Sequence, residues 1–182
     1  GYTRPGFLAT TDPRFDQIAD LYYEELTRLN GRSKFYSMDP FHEGGSKDGV
    51  DLAQAGATIA RAMKRANPEA VWVIQGWNEN PDPELLKGVK PGDIMVLDLA
   101  SEIKPNWGDP TSPSPYNRPT GYAPHDWTWN MVLNFGGNIG LHGRMDNVID
   151  GYYRARDSKY AKTLRGVGLT PEGIENNPVM YE

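Results

Sequence analysis

The sequence predicts an α/β chain, a consecutive part of a (β/α)8 TIM barrel with about five parallel strands and intervening helices. Three observations point there. Segments with apolar residues at helical spacing alternate with short apolar runs. The runs at 71–75 and 94–99 are nearly continuous rather than alternating, as in strands covered on both faces. A strand–helix–strand order also implies right-handed parallel crossovers. Five strands fall short of the eight that close a barrel, and an open doubly wound sheet is the competing architecture.

Each element has its own signals. Phe7-Leu8-Ala9 reads as a short strand or an extended lead-in. Asp12-Pro13 is an N-cap followed by proline, and Phe15, Ile18, Leu21, Tyr22, Leu26 and Leu29 recur at helical spacing until Asn30-Gly31. Phe35-Tyr36-Ser37-Met38 is a strand that stops on Asp39-Pro40-Phe41-His42-Glu43-Gly44-Gly45. The second helix, 51–66, gathers Leu52, Ala55, Ile59, Ala60 and Met63 on one face, with Lys64-Arg65 in its last turn before Asn67-Pro68. After the strand at 71–75, Asn80-Pro81 opens a short helix to about Lys87, closed by Gly88. The strand at 94–99 precedes 104–124, rich in Pro, Gly, Ser and Asn and expected to be a long exposed loop. A fourth strand is expected at 128–135, a weakly patterned helix at 144–162, and a poor fifth strand at 163–169.

Length and charge narrow the function. A chain of 182 residues predicts one domain. The formal net charge is −5 and no basic run offsets it, which argues against nucleic acid and anionic membrane surfaces as partners. No stretch approaches the ~20 apolar residues of a membrane helix. There is no Cys, hence no disulfide framework and no thiol nucleophile. His42, His125 and His142 lie too far apart for a structural zinc site, and no metal or other cofactor is expected. Five Trp, ten Tyr and five Phe are compatible with a cleft that stacks sugar rings, and equally with an aromatic core. The first residue is Gly, and 178–182 break off where a helix starts. The chain is therefore expected to be a partial catalytic barrel domain over 1–182, with N-terminal strands and flanking domains missing.

In a parallel sheet the C-terminal strand ends share one rim. That rim receives Asp39, His42 and Glu43, then Gln75, Trp77, Asn78 and Glu79, then Asp98 and Glu102, then Asn134 and Asn138, and finally Glu172. Acids, amides and an indole without phosphate-binding cations suit a neutral polyhydroxylated ligand. Glycoside hydrolysis needs two carboxylates, one protonated as acid and one ionised as nucleophile or base. Glu43 and Glu172 form the best pair, each alone in a Gly/Pro-bounded turn after a strand, with Asp98, Glu79 and Glu102 as rivals. Plainer readings stand beside these. Glu43 also reads as a solvated loop carboxylate, Glu172 as an acidic residue of a helix first turn, and Trp77 as core; Trp72 is expected in the core. Asp98 and Glu102, four apart, read as a solvated face or as partners of Lys or Arg rather than metal ligands.

At these residues the chain resembles the α-N-acetylglucosaminidases of glycoside hydrolase family 89. The stretches that carry the likeness are Ala70-Val71-Trp72-Val73-Ile74-Gln75-Gly76-Trp77, Val96-Leu97-Asp98-Leu99 with Glu102, Asn134-Phe135-Gly136-Gly137-Asn138, and Thr170-Pro171-Glu172-Gly173-Ile174. The resemblance implies a (β/α)8 barrel within a longer polypeptide. It also implies metal-free exo-hydrolysis, with retention, of terminal α-linked N-acetylglucosamine on a glycan substrate. By the same resemblance Glu43 falls on the acid/base, Glu172 on the nucleophile, Trp77 on an indole lining the sugar pocket, and His42 and Asn134 on substrate-binding positions. The compartment implied is lysosomal in an animal and extracellular or periplasmic in a bacterium. The remainder of the polypeptide would complete the pocket. A carbohydrate-binding module without turnover, and a glycosidase of different sugar or linkage, remain the alternatives.

Overall fold

The computed structural model describes residues 8–41, 46–133 and 145–172. In chain order these form α1 (Phe15–Asn30), β1 (Phe35–Ser37), α2 (Leu52–Ala66), β2 (Val71–Gly76), α3 (Pro83–Lys87), β3 (Ile94–Asp98), β4 (Asp126–Leu133), α4 (Met145–Arg156) and β5 (Leu164–Pro171). The strands are parallel and neighbour one another in the order β1-β2-β3-β4-β5. Consecutive strands that pair in parallel need a crossover, and α2, α3 and α4 supply three of the four. By contact clustering the chain divides into two compact units, one of Gly1–Trp72 and Asp82–Asp93, the other of Val73–Pro81 and Ile94–Glu182.

In the first unit α2 is the best-specified helix. The Asp51 side chain caps it by accepting from Gln54 N at 2.9 Å, and Ala55, Ile59, Ala60, Ala62 and Met63 are buried along one face. Helix α1 ends at Asn30 as expected but begins at Phe15, two residues later than the Asp12-Pro13 signal predicts, with Arg14 at the N-cap and no side-chain cap bond, and its burial also differs. Of its residues only Tyr23 is buried, while Ile18, Leu21, Tyr22 and Leu29 are exposed. Phe15, Ile18, Tyr22, Tyr36, Met38 and Ile59 line an open groove of about 640 Å³. The short helix α3 begins later than the sequence predicts, at Pro83 behind the Asp82 cap. Asn80 is unavailable as a cap because it closes a turn with Trp77. Leu8 and Ala9 are not in a strand, and Phe7 lies outside the described residues.

In the second unit β4 pairs on both sides. Asp98 is opposite Trp129 on β3, and Leu133 is opposite Pro171 on β5. Strand β4 starts at Asp126, earlier than predicted, and β5 runs on to Pro171. Helix α4 ends at Arg156 rather than near 162. Ser158 Oγ donates to Ala155 O at 2.8 Å and accepts from Tyr160 N at 3.1 Å, so a side chain takes over the backbone bonds that a further turn would make. The register sets Asn130 opposite Gly168, where an added Cβ would stand 2.2 Å from Asn130 Oδ1. Glycine leaves the room that the Asn130 carboxamide fills.

The segment 104–124 is a loop, as expected, but only part of it is exposed. Trp107 and Tyr122 are each 1% exposed, and Asp109 is fully buried. Trp107 stacks on Trp127 with ring centroids 5.6 Å apart, and Asp109 holds Arg154 of α4 at 3.2 Å. Pro, Gly and Ser content reports backbone irregularity; the aromatic side chains within it decide burial.

Candidate active site

The sheet brings strand ends, rather than helices, to the candidate residues. In the first unit β1 runs out at Ser37, and Met38 O accepts from Trp72 Nε1 at 2.7 Å. Trp72 is 1% exposed, as expected of a core residue, and its one polar atom fixes the chain just after β1. Lys47 pairs with Asp82 at 3.1 Å. Phe41, next to His42, has φ 64, a left-handed backbone that non-glycine residues seldom adopt. His42, Glu43 and Asn134 lie outside the described residues.

In the second unit β2 ends in the turn that presents Trp77. Trp77 N donates to Asn80 O at 3.1 Å, Asn80 N returns to Trp77 O at 2.9 Å, and Asn78 between them has φ 47. Trp77 is half-buried, neither sealed in the core nor fully solvated. Just before it, Gly76 lets Tyr122 approach: a Cβ there would stand 2.8 Å from the Tyr122 hydroxyl and 2.9 Å from Leu97 O. Glu172 follows β5 directly and is exposed, while Thr170 Oγ1 donates to Met131 O at 3.1 Å and ties the strand end to β4.

Two of the three rival carboxylates, Asp98 and Glu102, are engaged elsewhere and neither forms a solvated face, whereas Glu79, in the turn after β2, is exposed. Asp98 is 1% exposed and accepts from Tyr122 OH at 2.7 Å, Ser101 Oγ at 2.8 Å and Asn106 N at 3.1 Å. Burial pushes its carboxyl up to about 6, against the opposing pull of those bonds and of the Arg118 charge. The Tyr122 hydroxyl is raised well above its ordinary value, first by burial and then by the Asp98 charge. Glu102 is 1% exposed. Its Oε1 accepts from Val132 N at 3.1 Å, and among the described residues its Oε2 has no hydrogen-bond partner. Burial, reinforced by the neighbouring Asp98 charge, lifts the Glu102 carboxyl to about 8, so it is protonated at neutral pH. Both acids serve the interior of the second unit. Among the described residues no group of three His, Asp or Glu is placed to hold a metal ion.

The sequence reading missed the network around Asp98, whose members Ser101, Asn106, Arg118 and Tyr122 are spread over residues 101–122. Its signal was an acid closing an apolar strand, followed by Trp and Tyr inside a Pro-rich loop.

The family model described as the alpha-N-acetylglucosaminidase (NAGLU) tim-barrel domain matches residues 1–182. The chain belongs to this family. Within the alpha-N-acetylglucosaminidase family, it is 34% identical to human alpha-N-acetylglucosaminidase over 191 residues, covering 99% of this chain and 24% of that protein. A family 89 glycoside hydrolase from Clostridium perfringens, solved in complex with PUGNAc, superposes with a TM-score of 0.78 at 33% identity, covering 99% of this chain and 19% of that one. A variant of the Clostridium perfringens enzyme with two Glu-to-Gln substitutions, in complex with its substrate GlcNAc-α-1,4-galactose, gives the same TM-score at 32% identity and the same coverage. The chain thus spans about a quarter or less of the length of these relatives. Membership bears out the family resemblance and the reading of the five strands as part of a TIM barrel.

Proposed function

We propose that the complete polypeptide carrying this chain is a retaining exo-glycoside hydrolase that removes terminal α-linked N-acetylglucosamine from glycans. The observation that carries the reading is the family match over all 182 residues, with Glu172 exposed just after β5. The two Glu-to-Gln substitutions in the bacterial substrate complex support a two-carboxylate mechanism. In the proposed double displacement Glu43 gives its proton to the departing glycosidic oxygen while Glu172 attacks the anomeric carbon. Glu43 then takes a proton from the water that hydrolyses the glycosyl ester. Retention requires the two carboxyl groups to stand ~5 Å apart. Trp77 would stack on the sugar face, with His42 and Asn134 hydrogen-bonding in the pocket. Other segments of the polypeptide would furnish the remaining pocket walls. Among the described residues no helix is long and apolar enough to cross a membrane. An enzyme of this activity belongs in the lysosome of an animal or outside the cytoplasm of a bacterium.

The stereochemistry of azide rescue tests the assignment. With an aryl α-N-acetylglucosaminide, Glu172→Ala is expected to lose about 10³-fold or more of kcat/KM. Added azide should then yield the β-glycosyl azide. Glu43→Ala should give the α-glycosyl azide, because azide there attacks a β-linked glycosyl-enzyme. Full activity in Glu172→Ala would remove Glu172 from the mechanism. Sugar binding without turnover in the unaltered polypeptide would favour a carbohydrate-binding module.

A further inference from the structure

The turn that carries Trp77 is tied both within itself and from outside. Trp77 and Asn80 exchange backbone bonds, and Asn80 Nδ2 donates to Gln75 O. Three of its carbonyls are taken by two side chains of the loop after β3. Asn106 Nδ2 donates to Asn78 O at 3.1 Å, and Arg118 Nη2 donates to Glu79 O at 3.3 Å and to Pro81 O at 2.6 Å. Both are fixed in turn by the Asp98 network. Asn106 N donates to the Asp98 carboxylate, and Asn106 Oδ1 accepts from Ser114 Oγ at 2.6 Å. The Arg118 guanidinium lies over the Tyr122 ring, 5.0 Å from its centroid, while Tyr122 OH donates to Asp98. Arg118 N also donates to Asn106 O at 3.0 Å, which ties the two arms together.

We infer that Arg118 and Asn106 are positioning residues that clamp the 77–81 turn and thereby set the Trp77 indole for stacking on the sugar. The inference rests on the reading of Trp77 as the sugar platform. Asn78 occupies left-handed backbone, so the turn is not the shape that its residues would choose unaided. Carbonyls 78, 79 and 81 would otherwise turn to water, and the ring would sample several orientations. Bringing a platform into place on binding weakens affinity more than it slows bond cleavage.

The test uses the complete polypeptide and an aryl α-N-acetylglucosaminide. Arg118→Met and Asn106→Ala should each raise KM about 10-fold with kcat changed less than about threefold. Asn106→Ala keeps the backbone N–H to Asp98, so it tests the clamp even if Arg118→Met does not fold. Arg118→Lys should recover part of the loss. A double-mutant cycle reads the route of action: in a Trp77→Ala background, Arg118→Met should add less than about twofold to KM. Multiplicative effects, or an unchanged KM in both single variants, would overturn the clamp. Quenching of Trp emission by N-acetylglucosamine, compared with Trp77→Ala, gives the same comparison without turnover. A clamp failure therefore stays distinct from a failure of the Glu172 assignment. A weaker Kd in Arg118→Met supports the clamp whatever Glu172→Ala shows, and an unchanged Kd opposes it.

Discussion

Glu102 should make the second unit lose stability as pH rises through neutrality. The carboxyl is 1% exposed, has among the described residues Val132 N as donor to Oε1 and none to Oε2, and is lifted from 4.5 to about 8. A group whose folded value lies above its unfolded value binds its proton more tightly in the fold. Its stabilising contribution is therefore complete below about 4.5 and is lost as pH climbs through about 8. At ~1.4 kcal/mol per pH unit, the span between those values amounts to about 5 kcal/mol. Glu102→Gln keeps an oxygen for Val132 N and cannot ionise, so its stability should be flat with respect to this group. Urea unfolding of both proteins between pH 5 and pH 8 should show the difference widening toward the variant by about 1 kcal/mol per pH unit. A site-resolved 13C titration of the Glu102 carboxyl should show a midpoint far above the ordinary carboxylate range. Parallel stability curves, or a midpoint near 4.5, would refute the argument that burial dominates this side chain.

Other perturbations follow from the same packing. Gly76→Ala places a methyl against Tyr122 OH and Leu97 O, and should lower stability by about 1–3 kcal/mol in thermal unfolding. Arg154→Met removes the cationic partner of buried Asp109. Because Arg154 is itself about a third exposed and Thr111 still donates to Asp109, the loss should be about 1–3 kcal/mol by denaturant titration. Ile74→Ala empties a fully buried position in β2 and should cost about 2–5 kcal/mol. Tyr122→Phe leaves the Asp98 carboxylate one donor short, which should lift the Asp98 titration further above about 6, read by 13C NMR.

The regular elements were legible where a local rule sufficed. Asp51 before a helical apolar pattern marks the start of α2 within a residue, and the nearly continuous apolar runs at 71–75 and 94–99 locate β2 and β3, because strands covered on both faces show little polar alternation. What the sequence hid is non-local. Asp98 bonds to groups up to 24 residues away, and nothing in the spacing of Asp98 and Glu102 shows that both are buried rather than solvated. Asn80 looked like a helix start because its competing partner, Trp77 in a tight turn, is a tertiary arrangement rather than a composition. Glu172 was located as a strand-end carboxylate, and β5 delivers it there. His42, Glu43 and Asn134 lie outside the described residues and rest on the sequence pattern and the family likeness.

The packed loop between β3 and β4 has a consequence for how this region can change over time. A helical crossover satisfies its backbone internally, so its outer face tolerates nearly any side chain. Here the backbone is satisfied by particular side chains instead: Asp98 for Asn106 N, Asn117 for Gly108 N, Asp109 for Thr111 N, and Ser112 Oγ for Pro105 O and Ser114 N. Each is short and polar, and each has a single useful rotamer. Saturation mutagenesis should therefore find 105–122 among the least substitutable stretches of the surface, despite a composition that resembles a linker. The outward positions of α2 should accept almost anything but proline.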